Sequence, residues 1–219
     1  MNTPTQSFLT YAVTLYFDDK TTEEIRTLTK ALYEVTGNDY MVRNNVPPHL
    51  TLGMFHVNDG DFEKLRALFE GFVAVARERF SKDTAYELLF CGFESFLDKV
   101  IFIKPEKSDL LCNLNILLHE SFLPHFEAGD NRNYLPENWY PHIALGVKLS
   151  PEQFENGMEF LKGPPASLDA QGIGGAPKAL RSNEGESRNT AKPGLPKGRC
   201  ARIGLACCNP YTPICEIFV

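Results

Sequence analysis

PHLTLG at residues 48–53 and PHIALG at residues 141–146 are two framed copies of one pattern, with Pro, His, Leu and Gly in register. Along an extended chain, side chains alternate between faces, so His49 and Thr51 point one way while Leu50 and Leu52 point into a core. In the second copy His142, Ala144 and Gly146 share a face, backed by Ile143, Leu145 and Val147. The prolines remove a backbone donor and favour extended geometry, as at the entry of a strand on a cleft rim. An internal repeat of this kind predicts two strand-helix-strand lobes related by a pseudo-twofold, each supplying one histidine strand to a shared cleft.

The flanking sequence agrees with that layout. Residues 8–17 alternate with Leu9, Tyr11, Val13, Leu15 and Phe17 on one face, a strand signature. A helix follows over 21–35, with Ile25, Leu28, Leu32 and Val35 as its apolar stripe and Glu23 and Glu24 in its first turn. A strand through His49 to Val57, a helix over 60–80 bearing Phe62, Leu65, Phe69, Phe72 and Ala76, and an extended segment at 86–90 complete the first half. The second half runs from VIFIK after Lys99, through a helix with Leu111, Leu114, Leu118 and Phe122, to a strand at His142–Leu149. Ser150-Pro151-Glu152-Gln153 then reads as a capping box with proline at the first helical position, opening a helix that buries Phe154, Met158 and Leu161. The expected architecture is α+β, one bilobal domain over 1–219 with lobes of about 1–97 and 98–219, terminal strands free to cross between them, and two antiparallel-type sheets around a central cleft.

Residues 163–200 interrupt the pattern: they are rich in Gly, Pro, Ala, Ser and Lys, have no apolar periodicity, and read as a flexible insertion. Over 163–202 seven basic residues face three acidic ones, a local charge of +4 against −10 for the rest of a chain whose total is −6. That overall balance, with a pI near 5.4, excludes nucleic-acid coating by bulk charge and confines any RNA contact to a local surface. The insertion is equally readable as a steering element or as a solvated loop with no function.

At 219 residues and 43% hydrophobic content the chain can fill a core of its own. There is no basic leader and no run of 18 apolar residues, so a soluble cytoplasmic protein without membrane contact is expected. Cys91, Cys112, Cys200, Cys207, Cys208 and Cys215 form no C-x-x-C pair and read as reduced thiols, with no zinc site, cofactor or obligate protein partner. His56, His119 and His125 lack the framing of the other two histidines and read as packing or surface residues.

Two imidazoles opposed across a cleft suit concerted acid and base work near neutral pH without a metal, one giving a proton while the other takes one. On a 2′,3′-cyclic phosphate, the base activates water toward phosphorus and the acid protonates the departing ribose oxygen. Thr51 would donate to a phosphate oxygen as charge builds there.

With these motifs the sequence resembles the 2H phosphoesterase superfamily, and within it the bacterial 2′-5′ RNA ligase family, marked by two H-x-[T/S] motifs. The likeness covers PPHLTLG, YPHIALGVKLSPEQF and ARIGLACCNPY and leaves out the insertion. It implies a bilobal α+β fold with His49 and His142 as the catalytic pair, provisionally acid and base in that order. It also implies an RNA end or nucleotide cyclic phosphate as substrate, for cyclic phosphodiesterase or 2′-5′ ligase chemistry. Ala144 departs from the family pattern, which has Thr or Ser there; one lost transition-state hydrogen bond costs on the order of 2–4 kcal/mol unless something replaces it. Tyr140, Tyr211 and Arg43 are the candidates for supplementary substrate contacts. The competing reading is an RNA- or nucleotide-binding module that keeps the cleft with impaired catalysis.

Overall fold

Two antiparallel sheets carry the fold in a computed structural model that describes residues 8–80, 86–163, 197–208 and 211–219. In chain order the elements are β1 (Phe8–Phe17), α1 (Asp19–Thr36), α2 (Tyr40–Arg43), β2 (His49–Asn58), α3 (Phe62–Phe80), β3 (Glu87–Leu88), β4 (Phe90–Phe96) and β5 (Val100–Pro105). There follow α4 (Asp109–Phe122), β6 (Glu127–Ala128), a 3₁₀ turn at Asp130–Arg132, β7 (Ile143–Gly146), α5 (Pro151–Lys162), β8 (Gly198–Cys207) and β9 (Thr212–Phe218). The larger sheet is ordered β3-β8-β1-β2-β6, with β9 also paired to β8, and the smaller is β4-β5-β7. The C-terminal strands thus lie in the sheet of β1 and β2, while β4 belongs to the sheet of the second motif.

Each sheet is covered on the face away from the motif histidines. Gly53 and Phe55 of β2 turn toward α4: a Cβ on Gly53 would stand 2.8 Å from Leu118, and the Phe55 ring lies 4.8 Å from that of Phe122. α3 packs beside α4 through the buried residues Leu65, Phe69, Phe72, Val73 and Ala76. Behind the smaller sheet, Gly157 lets α5 close onto α1 and β5, because a Cβ there would meet Ile101 at 2.8 Å and Leu32 and Thr36 at 3.1 Å.

A register shift between β1 and β2 sets the first motif. Val13 pairs with Gly53 and Thr14 with Thr51, so Leu52 is the extra residue of a bulge. Carbonyls beside a bulge lose ladder partners, and buried ones must find others. Here the Asn115 amide donates to Leu52 O at 2.7 Å and the Trp139 indole to Thr51 O at 3.0 Å. His49 and Thr51 consequently keep their common face beside Tyr16 and Thr14.

Several local expectations shift. Helix α1 starts earlier than expected, capped by Asp18, whose side chain accepts from Thr21 N, with Asp19 rather than Glu23 or Glu24 as the first-turn acid. Its buried stripe is Thr21, Ile25, Leu32 and Thr36, and Val35 is exposed because the sheet lies one position around the helix. The second motif strand is shorter, Ile143–Gly146, since Lys148 takes a left-handed φ of 57° and turns the chain into the Ser150 cap. That capping box is present as expected. The flexibility expected for 163–200 falls almost wholly outside the described residues, but Gly198–Cys200 are strand and not loop. Glycine there has a packing reason: a Cβ on Gly198 would come within 2.2 Å of the Phe90 ring.

Candidate active site

His49 opens β2 and His142 immediately precedes β7. Both rings are held in the same way: Nδ1 of His49 lies 2.7 Å from the carbonyl oxygen of Pro47, and Nδ1 of His142 lies 2.9 Å from that of Tyr140. A carbonyl oxygen only accepts, so Nδ1 carries the hydrogen in each ring and Nε2 keeps its lone pair. Each bond reaches back two residues across a proline, Pro48 or Pro141, whose fixed φ helps hold the bend. The sequence repeat therefore encodes a repeated tautomer as well as a repeated strand.

An aromatic wall surrounds each imidazole. Tyr211 stacks on His49 with ring centroids 4.4 Å apart and planes 19° from parallel. Its hydroxyl meets that of Tyr16 at 2.6 Å, and Tyr16 stands opposite His49 in the β1–β2 register. Burial raises the pKa of both tyrosines, so both remain protonated. Against His142, Phe96 packs edge-on at 5.0 Å and Phe102 at 5.4 Å, with the Tyr134 ring at 6.3 Å.

The two histidines are electrically unequal. Burial pushes the His49 pKa down to about 4, with its bond to Pro47 opposing and the nearby His142 charge adding to the fall. His142 is also lowered by burial, but its bond to Tyr140 O and the Asp130 carboxylate both act upward. Asp130 begins three consecutive left-handed residues, with φ of 48°, 50° and 65° at Asp130, Asn131 and Arg132. Such a conformation is uncommon for residues with a Cβ, least so for Asp and Asn.

Thr51 is buried, and its side chain hydrogen-bonds with Tyr134, whose pKa burial raises well above the usual phenol range. Ala144 pairs with Phe102 across the β5–β7 ladder and brings only a methyl group. Tyr140 turns to the Glu94 carboxylate, beneath Lys104, whose ammonium lies 5.3 Å from the Tyr140 ring and 2.7 Å from Glu94. Arg43 lies on α2, exposed and 3.8 Å from Asp39. His119 is a packing residue, buried against Phe55, while His125 is exposed and His56 bonds Thr10.

The structure thus brings together His49, Tyr211 and Tyr16 on one side, and His142 and Tyr134 on the other, with Thr51 tied to Tyr134. Tyr16, Asn115, Asp130, Tyr134 and Trp139 were not singled out from sequence. Only Trp139, the single tryptophan and three residues before His142, offered a local signal. No group of three or more potential metal ligands occurs among the described residues, no helix among them is long and apolar enough to cross a membrane, and all six cysteines are free.

A family model described as the 2′-5′ RNA ligase superfamily matches residues 17–174. Among solved structures, a phosphoesterase is similar at 14% identity and a TM-score of 0.52, covering 97% of this chain and 99% of its own. E. coli LigT complexed with 3′-AMP is similar at 14% identity and a TM-score of 0.51, with the same coverage. At that identity the likeness speaks for the fold alone. No curated protein matches in sequence.

Proposed function

Because this chain belongs to the 2′-5′ RNA ligase superfamily, we propose that it is a metal-independent phosphodiesterase of 2′,3′-cyclic or 2′-5′-linked RNA or nucleotide ends. The carrying observation is the pair of imidazoles with Nδ1 tied to a carbonyl and Nε2 left for proton transfer. His49, whose pKa lies near 4, is neutral at physiological pH and serves as the base. His142, supported by Asp130, holds a proton more readily and serves as the acid. This reverses the roles expected from sequence.

On a 2′,3′-cyclic phosphate, His49 Nε2 takes a proton from water as its oxygen bonds to phosphorus. The bond from phosphorus to one ribose oxygen breaks, and the Nε2 proton of His142 passes to that oxygen, leaving a phosphomonoester. Thr51 turns its hydroxyl from Tyr134 to a non-bridging phosphate oxygen as charge builds there. The second reading, a binding module with impaired turnover, is favoured only by the methyl group at Ala144.

The test is turnover of nucleoside 2′,3′-cyclic phosphates and 2′-5′-linked oligonucleotides in EDTA. Activity that falls at least a hundredfold, on the order typical of losing a proton-transfer residue, in both His49→Ala and His142→Ala is expected. Binding of labelled RNA without turnover identifies the module instead, and activity indifferent to both substitutions ends the assignment.

A further inference from the structure

α1, α2 and the edge of β7 enclose a groove of about 180 Å³ whose lining includes one residue from each histidine motif. Its cations are Arg26 and Lys30, one helical turn apart on α1, and its inner wall is Pro48 and Ala144. Pro48 is the neighbour of His49, and Ala144 stands two residues beyond His142, so both motifs border the groove. The lining contains no carboxylate, in a chain of net charge −6. Neither Arg26 nor Lys30 forms an ion pair among the described residues. Asn45 adds an amide from the opposite rim, while Met41, Val42 and Val46 supply an apolar side.

Two cations at helical spacing with no ion pair among the described residues do not need each other for folding; like charges one turn apart repel. An anion between them removes that repulsion and gains charge-assisted hydrogen bonds, with arginine able to engage two phosphate oxygens at once. Ala144 contributes only a methyl group to the lining of this groove.

We propose that this groove is a subsite for a second phosphate of the substrate, so that the enzyme acts on phosphorylated or oligomeric ends in preference to simple nucleoside cyclic phosphates. The inference rests on the phosphodiesterase reading for the position of the scissile phosphate. A second phosphate reaches the groove from either of two sources, a 5′-phosphate on the same nucleotide or the next internucleotide linkage.

The experiment compares kcat/KM for wild type and R26Q/K30Q on three substrates. These are a nucleoside 2′,3′-cyclic phosphate, the same compound with a 5′-phosphate, and a dinucleotide with a terminal cyclic phosphate and a free 5′-hydroxyl. Wild type is expected to prefer one or both phosphate-bearing substrates, and the variant to lose about ten- to a hundredfold on them through KM. The unadorned nucleoside cyclic phosphate should be unchanged, which also reports that the variant is folded. Which substrate loses its advantage identifies the source of the phosphate. An equal loss on all three, or a preference that survives the substitutions, overturns the subsite. If wild type turns over none of them, the phosphodiesterase reading fails separately. The groove is then judged by titrating inorganic pyrophosphate: weaker binding to R26Q/K30Q than to wild type sustains the subsite, and equal or absent binding overturns it.

Discussion

His49 and His142 carry the same side chain, the same tautomer and different burdens. In the proposed mechanism His49 must be neutral to act as base, so kcat/KM is expected to rise with pH through about 4. In the same mechanism His142 must be protonated to act as acid, so activity is expected to fall again as pH passes its pKa, which lies below the ordinary 6.5. The expected profile is a bell on the acid side of neutrality, and activity still climbing beyond the ordinary histidine range would overturn the assignment of His142 as the acid. Asp130 raises the His142 pKa, so Asp130→Asn should move only the alkaline limb, toward lower pH. Tyr211 offers a finer distinction. Tyr211→Phe keeps the stacked ring and loses the bond to Tyr16, at about 1 kcal/mol, whereas Tyr211→Ala also frees the imidazole and should cost kcat about tenfold or more. Equal effects of the two substitutions would show that the stack does not position His49.

At the level of elements, the weak point of the site is the bulge that carries Thr51. Its carbonyls depend on α4 and on the segment before β7, through Asn115 and Trp139. Asn115 also donates to Tyr134 O at 3.0 Å, so one buried amide ties β2 to the residue that contacts Thr51. Asn115→Leu, close in size but without donors, leaves two carbonyls unpaired and should destabilise the fold by about 1–3 kcal/mol. It should also lower kcat in the protein that remains folded. Urea unfolding with unchanged m and a lower midpoint, beside steady-state kinetics, checks both effects. A variant that loses stability but keeps full kcat would confine Asn115 to packing.

For the whole molecule, chain order and sheet order diverge. β8 lies between β1 and the strands β3 and β9, and buries Ile203, Leu205 and Ala206 beside the core residues Val13 and Leu15. Ending the chain after Lys162 would strip β1 of one neighbour and expose a long apolar edge. Such a truncation is expected to be insoluble or unfolded by circular dichroism, although it retains both histidine motifs. A soluble, cooperatively melting fragment would show that the first 162 residues fold independently.

Much of this was legible in advance because periodicity is a local property. The alternation in β1 and β2, the stripes of α3 and α4, the capping box at Ser150 and the two framed histidines each lie within a short window, and family membership follows from the motifs. The bulge at Leu52 was not legible, because it is defined by a partner strand some forty residues away. Nor was the inequality of the two imidazoles, which arises from burial and from Asp130, set beside His142 by a left-handed turn. Ala144 shows the division most sharply: sequence revealed a missing hydroxyl, and packing showed that its methyl borders a groove with Arg26 and Lys30. Sequence alone determined the two histidine motifs and the strand segments they border. Tertiary structure decided their tautomers, their relative acidity and what stands beside them, because those depend on desolvation and charge from segments distant in the chain.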